Sequence, residues 1–485
     1  MGSVLFIDIP TYQVQLEKTY SDLLLKRLKL QRIIMSNRTG LDLKRGQVNY
    51  SRGLLSIATM VRSKGIETRY LIYSDQDDQK MMESAITEVD YIAVSAITPT
   101  IDLALKILDN AKRIRPQVIT IVGGPHAQIK ASDIIKMPAV DIVSCGDGLD
   151  TIPSVLEGKQ LDNIPNLLFK TTEGKIINTI SAQIVSSRLL SDRMVDYSLL
   201  SKDISFYSHN LRTQNGCPFR CAFCYESAYH SGNQYTQVPI KVIVEEISHL
   251  NQTLLPGTLV HFSDPVFTLD KKRTIALCAE LQKLDLKLFF SIDTRVDCID
   301  ADIIKELTKA RIIYYRFGLE DASREVIDRT QKGIDLSSFV SASKLIRMIA
   351  PQSIIMAYWI TGLPGTTYHS VVENGEIIKL LIGEKVLDII GNKVLVPYPG
   401  TKYAINPFKY MMEIKEKNWS AYDRLSKPVY DLDTMNSEEI FASFIFLEKQ
   451  LIEAYEDVLL GTHISYLDIP EDDLDYVHLS YVNSE

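Results

Sequence analysis

Short apolar runs alternate with amphipathic stretches over roughly the first third of the chain. VLFIDIP at 4–10 is a continuous apolar run closed by proline, the pattern of a strand buried on both faces. Leu54, Ile57, Ala58 and Val61 recur at i, i+3, i+4 and i+7 and stop before Gly65, which predicts a helix over 51–64. ETRYLIY (67–73), DYIAVSAIT (90–98), VITIVGG (118–124) and DIVSCGDG (141–148) are further strands, the last expected to close the domain. Ala104, Ile107, Leu108 and Ala111 stripe a helix among them. Strand and helix in alternation predict a parallel, Rossmann-like α/β sheet covered by helices. Residues 15–50 are basic and mixed and are assigned only as an insertion. The stretch from 152 to 200 is looser, with GKQLDNIPNLLFKTTEGKIIN a hairpin or connector, so a boundary is expected near 190–200.

A second alternation follows. FYSHNLRTQ (206–214), TLVHFSD (258–264), KLFFSID (287–293), IIYYRFGLE (312–320), SIIMAYWITG (353–362) and IIGNKVLV (389–396) are candidate strands. Helices are expected to begin near Pro239, Asp270, Asp300, Ala322, Leu336 and Thr367, the second with Leu277, Leu281 and Leu284 on one face. Six consecutive βα units predict a partial (β/α)6 barrel whose chemistry lies at the carboxyl ends of its strands. Beyond it, Asn436 and Glu439 form a capping box ahead of Ile440, Phe444, Leu447, Leu451, Tyr455 and Val458, a long amphipathic helix expected to end at Gly461. The tail at 466–485 holds six acidic residues and no Lys or Arg, which suits a solvated surface. The expected units are therefore 1–190, 200–405 and a small, mainly helical C-terminal domain at 406–485.

Composition narrows the function classes. With 485 residues, 24% charged and 46% hydrophobic, the chain has no room for a long disordered tract. A net charge of −8 argues against a general polyphosphate-binding surface, so nucleic acid is not an expected partner. No run approaches the roughly 20 apolar residues of a membrane span, and MGSVLFIDIPTY lacks a basic region followed by an apolar core, so a cytoplasmic location is expected. Six cysteines occur, three of them (Cys217, Cys221, Cys224) within eight residues. In a reducing compartment that clustering points to metal or redox chemistry more than to disulfides.

GCPFRCAFCYE sets those thiols at i, i+4 and i+7 after the first strand of the second segment, on a loop marked by Pro218. Structural zinc takes four ligands, and the nearest extra candidates, His209 and His230, lack ligand-pair spacing. An iron-sulfur cubane is usually held by four thiolates, so three would leave one iron open. C-x-x-x-C-x-x-C after a strand, with an aromatic before the last cysteine, resembles the radical S-adenosylmethionine (SAM) enzymes. The resemblance implies a [4Fe-4S] cluster on Cys217, Cys221 and Cys224 whose open iron binds SAM and whose electron cleaves it to methionine and a 5′-deoxyadenosyl radical.

Other segments resemble the same family. HFSDPVF (261–267) looks like its F-x-D-x-x-F, which implies Asp264 near the SAM ammonium; the segment also reads as a helix-capping turn. SIDTRVD (291–297) offers Arg295 as a fixed cation for a carboxylate or the substrate. RFGLEDAS (316–323) resembles G-x-E-S with Asp321 in place of Ser, implying a hydrogen bond from SAM to Glu320, which otherwise reads as a surface ion pair. ITGLPGTT (360–367) resembles a segment that closes over adenine, with Gly362 in it and Thr366 where an acid is common. PYPGT (397–401) is a tight turn. Cys145, Cys278 and Cys298 read as buried small hydrophobes.

In the first domain AVSAIT (93–98) and IVGGPHA (121–127) end two strands, where open sheets of this kind bind ligands, and paired glycines admit close approach of a bulky group. Alone, the pair is also a common turn. With the strand order and VSCGDG the domain resembles the cobalamin-binding domains joined to radical SAM enzymes, which implies contacts from Ser95, Thr98, Gly123 and Gly124. D-x-H-x-x-G is absent, so no histidine is expected to ligate cobalt, and His126 reads as a loop histidine bonded to backbone. The combined resemblance implies C-methylation of an unactivated carbon in a small metabolite or peptide-derived precursor, through a deoxyadenosyl radical and methylcobalamin, with flavodoxin or ferredoxin as electron donor. A cobalamin-dependent rearrangement, cyclisation or ring contraction without methyl transfer is the alternative.

Overall fold

The computed structural model describes residues 2–9, 18–46, 48–73, 76–146, 148–180, 193–229 and 236–460. The acidic tail, His230 and Gly461 lie outside the described residues. The first unit runs β1 (Val4–Asp8), α1 (Lys18–Thr39), α2 (Arg52–Ser63), β2 (Thr68–Ile72), α3 (Gln76–Ile86), β3 (Tyr91–Ser95), α4 (Ile101–Ile114), β4 (Ile119–Gly123), α5 (Pro125–Ile134) and β5 (Ile142–Ser144). It continues with α6 (Thr151–Leu156), β6 (Leu167–Lys170) and β7 (Ile176–Asn178). The sheet order is β2-β1-β3-β4-β5-β6-β7, parallel as far as β5. Contrary to the expectation from sequence, β5 does not close the sheet. Leu167, Leu168 and Phe169 are all buried, and a turn closed by Gly174 N–H to Thr171 O (2.9 Å) folds β7 back beside β6, so the hairpin extends the sheet antiparallel.

The second unit opens with β8 (Asn210–Leu211), β9 (Gln214–Asn215), α7 (Glu226–Tyr229), β10 (Thr236–Gln237) and α8 (Ile240–Thr253). Then come β11 (Leu259–Phe262), α9 (Lys271–Leu281), β12 (Phe289–Thr294), α10 (Ala301–Lys309), β13 (Ile312–Glu320), α11 (Arg324–Thr330) and α12 (Leu336–Ile349). β14 (Ile354–Thr361), α13 (Tyr368–Gly383) and β15 (Ile389–Val394) complete the barrel. Its six strands lie in the order β8-β11-β12-β13-β14-β15, all parallel. Asp270, Asp300, Asp335 and Thr367 each accept a first-turn amide hydrogen, which starts α9, α10, α12 and α13 where the sequence placed them. The first strand is shorter than FYSHNLRTQ because Asp264 takes the amide hydrogens of Thr213 (2.7 Å) and Gln214 (3.1 Å) and turns the chain into the β9–β10 pair.

The C-terminal part holds α14 (Lys402–Ile405), a hairpin of β16 (Met412–Ile414) and β17 (Tyr430–Leu432), and α15 (Ser437–Leu459). Asn436 and Glu439 cap α15 reciprocally, as predicted. α15 packs on α13, α1 and β15, with Leu447, Leu451 and Tyr455 in the barrel core. The insertion at 15–50 thereby gains a structural role. β15 is the open edge of the barrel, and an edge strand must satisfy its outward backbone groups. Arg27 Nη1 (3.1 Å) and Gln31 Nε2 (3.0 Å) donate to Ile390 O, and Ile390 N–H donates to the Tyr455 hydroxyl (2.8 Å). Side chains of α1 and α15 thus close the edge without a strand.

The two units share one continuous hydrophobic core. A buried fork joins them, Arg52 of α2 donating both nitrogens to Glu246 of α8 (2.7 and 2.6 Å) while Tyr197 O–H donates to the same carboxylate (2.6 Å). Among the described residues no helix is long and apolar enough to cross a membrane.

Candidate functional site: a cysteine loop facing a glycine-lined sheet end

Gly216, at φ 84°, turns the chain out of β9 into the cysteine loop. The loop is pinned at its middle, where fully buried Ala222 donates its N–H to Thr330 O at the end of α11 (2.8 Å). Cys221 is buried, and Cys217 and Cys224 are partly exposed. Among the described residues no three Cys, His, Asp or Glu side chains gather tightly enough for a single metal ion. Burial pushes the Cys224 thiol up to about 12 and raises Cys217 and Cys221 as well. Two cations oppose this: Arg295 lowers Cys217 and Cys221, and Lys332 lowers Cys221. Three soft thiols on one pinned loop, backed by two cations, fit a cluster in which each sulfur takes a different iron.

The expected SAM-binding side chains are largely engaged with the protein. Asp264 is fully buried, and besides the two amide hydrogens it accepts the Thr213 hydroxyl. Both oxygens fix the approach to the cysteine loop. Arg295 lies 3.7 Å from the ring centre of Phe219, inside the cysteine loop, and is held in a two-pronged pair with Asp297 (2.9 and 2.8 Å). Glu320 is paired with Lys332 and both are buried, so the alternative of a surface ion pair does not hold. It sits at φ 72° on a bulge of β13, a costly conformation for a side chain of this size. The pair lies over Gly318, where a Cβ would collide with both Lys332 Nζ and Glu320 Oε1. Asp321 is buried against Ser323 N–H and Asn374, and burial raises its carboxyl to about 7. Gly362 (φ 85°) is covered by the C-terminal part, its carbonyl accepting from Tyr430 O–H at 2.6 Å. The Thr366 hydroxyl is buried without a partner.

At the carboxyl end of the first sheet the paired glycines have different causes. Gly124 is demanded by the fold itself, with φ 94° and a Cβ that would come within 2.7 Å of Ala96 O and 2.8 Å of the Ser95 hydroxyl. Gly123 is not, since its Cβ would meet nothing closer than Ser144 O at 3.7 Å. The space it leaves adjoins Ser144, whose buried hydroxyl has no hydrogen-bond partner. An orphaned polar atom beside an unneeded glycine fits a polar ligand group entering the sheet end. Ser144 does not stand out within VSCGDG; the signal available for it was a polar residue ending a buried strand. Thr98 is bonded to buried His126 (3.1 Å), whose basicity burial lowers to about 4, and Trp419 meets that ring edge-on at 4.9 Å. His126 is thus held by a side chain, where backbone was expected. Cys145 and Cys278 are buried; Cys298 is partly exposed, with its thiol 3.8 Å from Asp297.

The two sheet ends approach each other across the PYPGT turn. A Cβ on Gly400 would lie 3.1 Å from both Ile129 of α5 and Ala228 of α7. The barrel interior holds polar side chains that sequence reasoning missed. Asp293 receives Arg316 (3.0 Å) and His261 (3.1 Å), and Arg316 also bonds Tyr358. Burial opposes the charge on Asp293, yet Arg316 and His261 hold its carboxyl below the ordinary range. The signal was present as polar residues at alternate positions of strands that ought to be apolar on both faces.

Residues 38–156 match the B12 binding domain family, and residues 211–376 match the Radical SAM superfamily. The chain belongs to the cobalamin-dependent radical SAM enzymes. A relative described as an uncharacterized methyltransferase of Pyrococcus horikoshii is 26% identical over 75% of this chain and 80% of its own length. An anaerobic magnesium-protoporphyrin IX monomethyl ester cyclase of Rubrivivax gelatinosus is also 26% identical, over 61% of this chain and 55% of the cyclase. The fold matches the radical SAM methyltransferase TsrM of Kitasatospora setae, solved with cobalamin and a [4Fe-4S] cluster, at a TM-score of 0.65 and 15% identity over 92% of this chain and 85% of that one. It also matches the cobalamin-dependent radical enzyme OxsB at 0.66 and 13% identity, over 95% and 67%.

For this radical SAM enzyme the cofactors are a [4Fe-4S] cluster, SAM and cobalamin. Cys217, Cys221 and Cys224 would hold the first, and Gly123, Gly124 and Ser144 would border the last. The glycines make the arrangement testable. Gly123→Val should yield protein without corrin absorbance after reconstitution yet with an unchanged melting temperature, because only the ligand needs that space. Gly318→Ala should displace the Glu320–Lys332 pair and weaken SAM binding roughly tenfold or more, the scale of a lost charged hydrogen bond, read by equilibrium titration.

Proposed function

We propose that this radical SAM enzyme transfers a methyl group to an unactivated carbon of a small metabolite or peptide-derived precursor. The observation that carries the reading is the contact at Gly400 between α5, which follows Gly123 and Gly124, and α7, which follows the cysteine loop; a substrate carbon between those two elements would meet both cofactors. When bound, the cluster supplies the electron that cleaves SAM and the corrin carries the methyl group. The chain's own part is positional. Phe219, stacked on Arg295, and Ala222, tied to Thr330, hold the thiols in place. α1 and α15 close the barrel edge, which keeps water from a reactive intermediate. Misplacement of the carbon by about 1 Å would cost on the order of 100-fold in rate, so these supports matter to chemistry as well as stability.

The methyltransferase class is supported by the Pyrococcus relative and by TsrM. The cyclase relatives favour a second reading, ring formation without methyl transfer. Flavodoxin or ferredoxin is the proposed electron donor and the cytoplasm the proposed location; an acidic chain makes nucleic acid a poor substrate. The test is an anaerobic reaction of the reconstituted enzyme with methyl-labelled SAM and a deproteinised small-molecule extract. Label in a new product, with 5′-deoxyadenosine and S-adenosylhomocysteine in equal amounts, supports transfer. Deoxyadenosine formed with no label moved selects the cyclisation reading.

A further inference from the structure

The barrel interior contains a cavity of about 620 Å³, within the range of small-molecule sites. Among the described residues its lining carries seven basic side chains and one carboxylate, Asp42, although the chain as a whole has a net charge of −8. The bias is therefore local. Arg45, Arg316, Lys393 and Arg424 come from four separate parts of the chain and converge on this space. Ile389, Gly391 and Lys393 face it at alternate positions of β15, while Asn392 points the other way to Glu448 (3.1 Å). The basic groups differ in their partners. Arg316 is matched by Asp293 and Arg27 by Glu448 (2.9 Å), whereas the Lys393 side chain makes no ion pair or hydrogen bond among the described residues.

We infer that this cavity binds the substrate through an anionic group, a carboxylate or a phosphate, received by Lys393 with Arg316 and Arg424 beside it. The inference rests on the proposed transfer reaction only in calling the ligand the substrate. Burial, with Arg424 and Arg27 close by, draws the Lys393 ammonium down to about 7, while Asp423 and Glu448 oppose the shift. An arriving anion supplies the direct partner that the Lys393 ammonium lacks among the described residues. The strands that line this cavity also carry the residues around the cysteine loop at their carboxyl ends. Two residues beyond Arg316 on β13 stands Gly318, beneath the Glu320–Lys332 pair, and a strand advances about 7 Å in two residues. In this reading the anion is held among the strands, and the rest of the substrate extends along β13 toward the cysteine loop.

The test uses the reconstituted holoenzyme with S-adenosylhomocysteine bound, titrated calorimetrically with succinate, with inorganic phosphate and with neutral succinamide. Saturable binding of succinate or of phosphate is expected, and which one binds identifies the anion. Lys393→Met should weaken it roughly tenfold or more and Lys393→Arg should retain it. Cluster and corrin absorbance must be unchanged in both variants. Equal binding of succinamide, wild-type affinity in Lys393→Met, or saturation by neither anion would overturn the site. Anion binding through Lys393 in an enzyme that never moves a labelled methyl group refutes the transfer reading alone; methyl transfer without anion binding refutes the site alone.

Discussion

Cys221→Ala abolishes SAM cleavage, reducing 5′-deoxyadenosine below detection, while the protein still folds and still binds cobalamin. The expectation follows from the division of the site between two units. Cys221 is the buried member of the trio, and the loop around it is fixed by Ala222 on Thr330 and Phe219 on Arg295, contacts that survive loss of one sulfur. Two thiolates cannot hold three corners of a cubane, so iron content and the broad visible absorbance fall together with cleavage. The corrin site proposed at Gly123 and Ser144 lies on the other sheet and is untouched. Iron analysis, the optical spectrum and deoxyadenosine measured on one preparation check this; cleavage persisting in the variant would sink the assignment of the cysteine loop.

Arg27→Met is the second large effect, on stability. Arg27 and Glu448 are 2% and 0% exposed and 2.9 Å apart, with α1 supplying one partner and α15 the other. Truncating the arginine leaves a carboxylate wholly inside the protein without its cation, and removes a donor to Ile390 O. Breaking one side of a buried pair typically costs about 3–5 kcal/mol. Replacing both partners, Arg27→Met with Glu448→Met, should recover most of that loss, since the buried charge itself is then gone. Denaturant unfolding of the single and double variants reads the difference. A single variant as stable as the parent would show that α1 does not brace the barrel edge.

The strands of both sheets are legible in the sequence because each is a short apolar run bounded by Gly, Pro or Asp, and IIYYRFGLE falls on β13 residue for residue. α1 is not, since its residues are mixed in character and show no single apolar stripe. Buried Tyr20, Leu24 and Leu28 pack against α15 and the end of β15, surfaces more than 350 residues away in sequence. β6 and β7 read only as a hairpin or connector because a three-residue exposed edge strand has no pattern of its own. In the site, the cysteines stand out by spacing alone. Asp264 shows the opposite case, since an acid at a strand end looks the same from sequence whether it faces a ligand or binds backbone amides.

By itself the sequence determined the two αβ units, their order and the trio of thiols, because strand periodicity, capping residues and cysteine spacing are local properties. Only the tertiary structure decided which carboxylates are consumed in holding loops, which of the paired glycines the fold requires and which it does not, and that basic residues from α1, β13, β15 and the C-terminal part share one cavity. Those outcomes depend on distances between residues far apart in the chain, and charge and burial act through space.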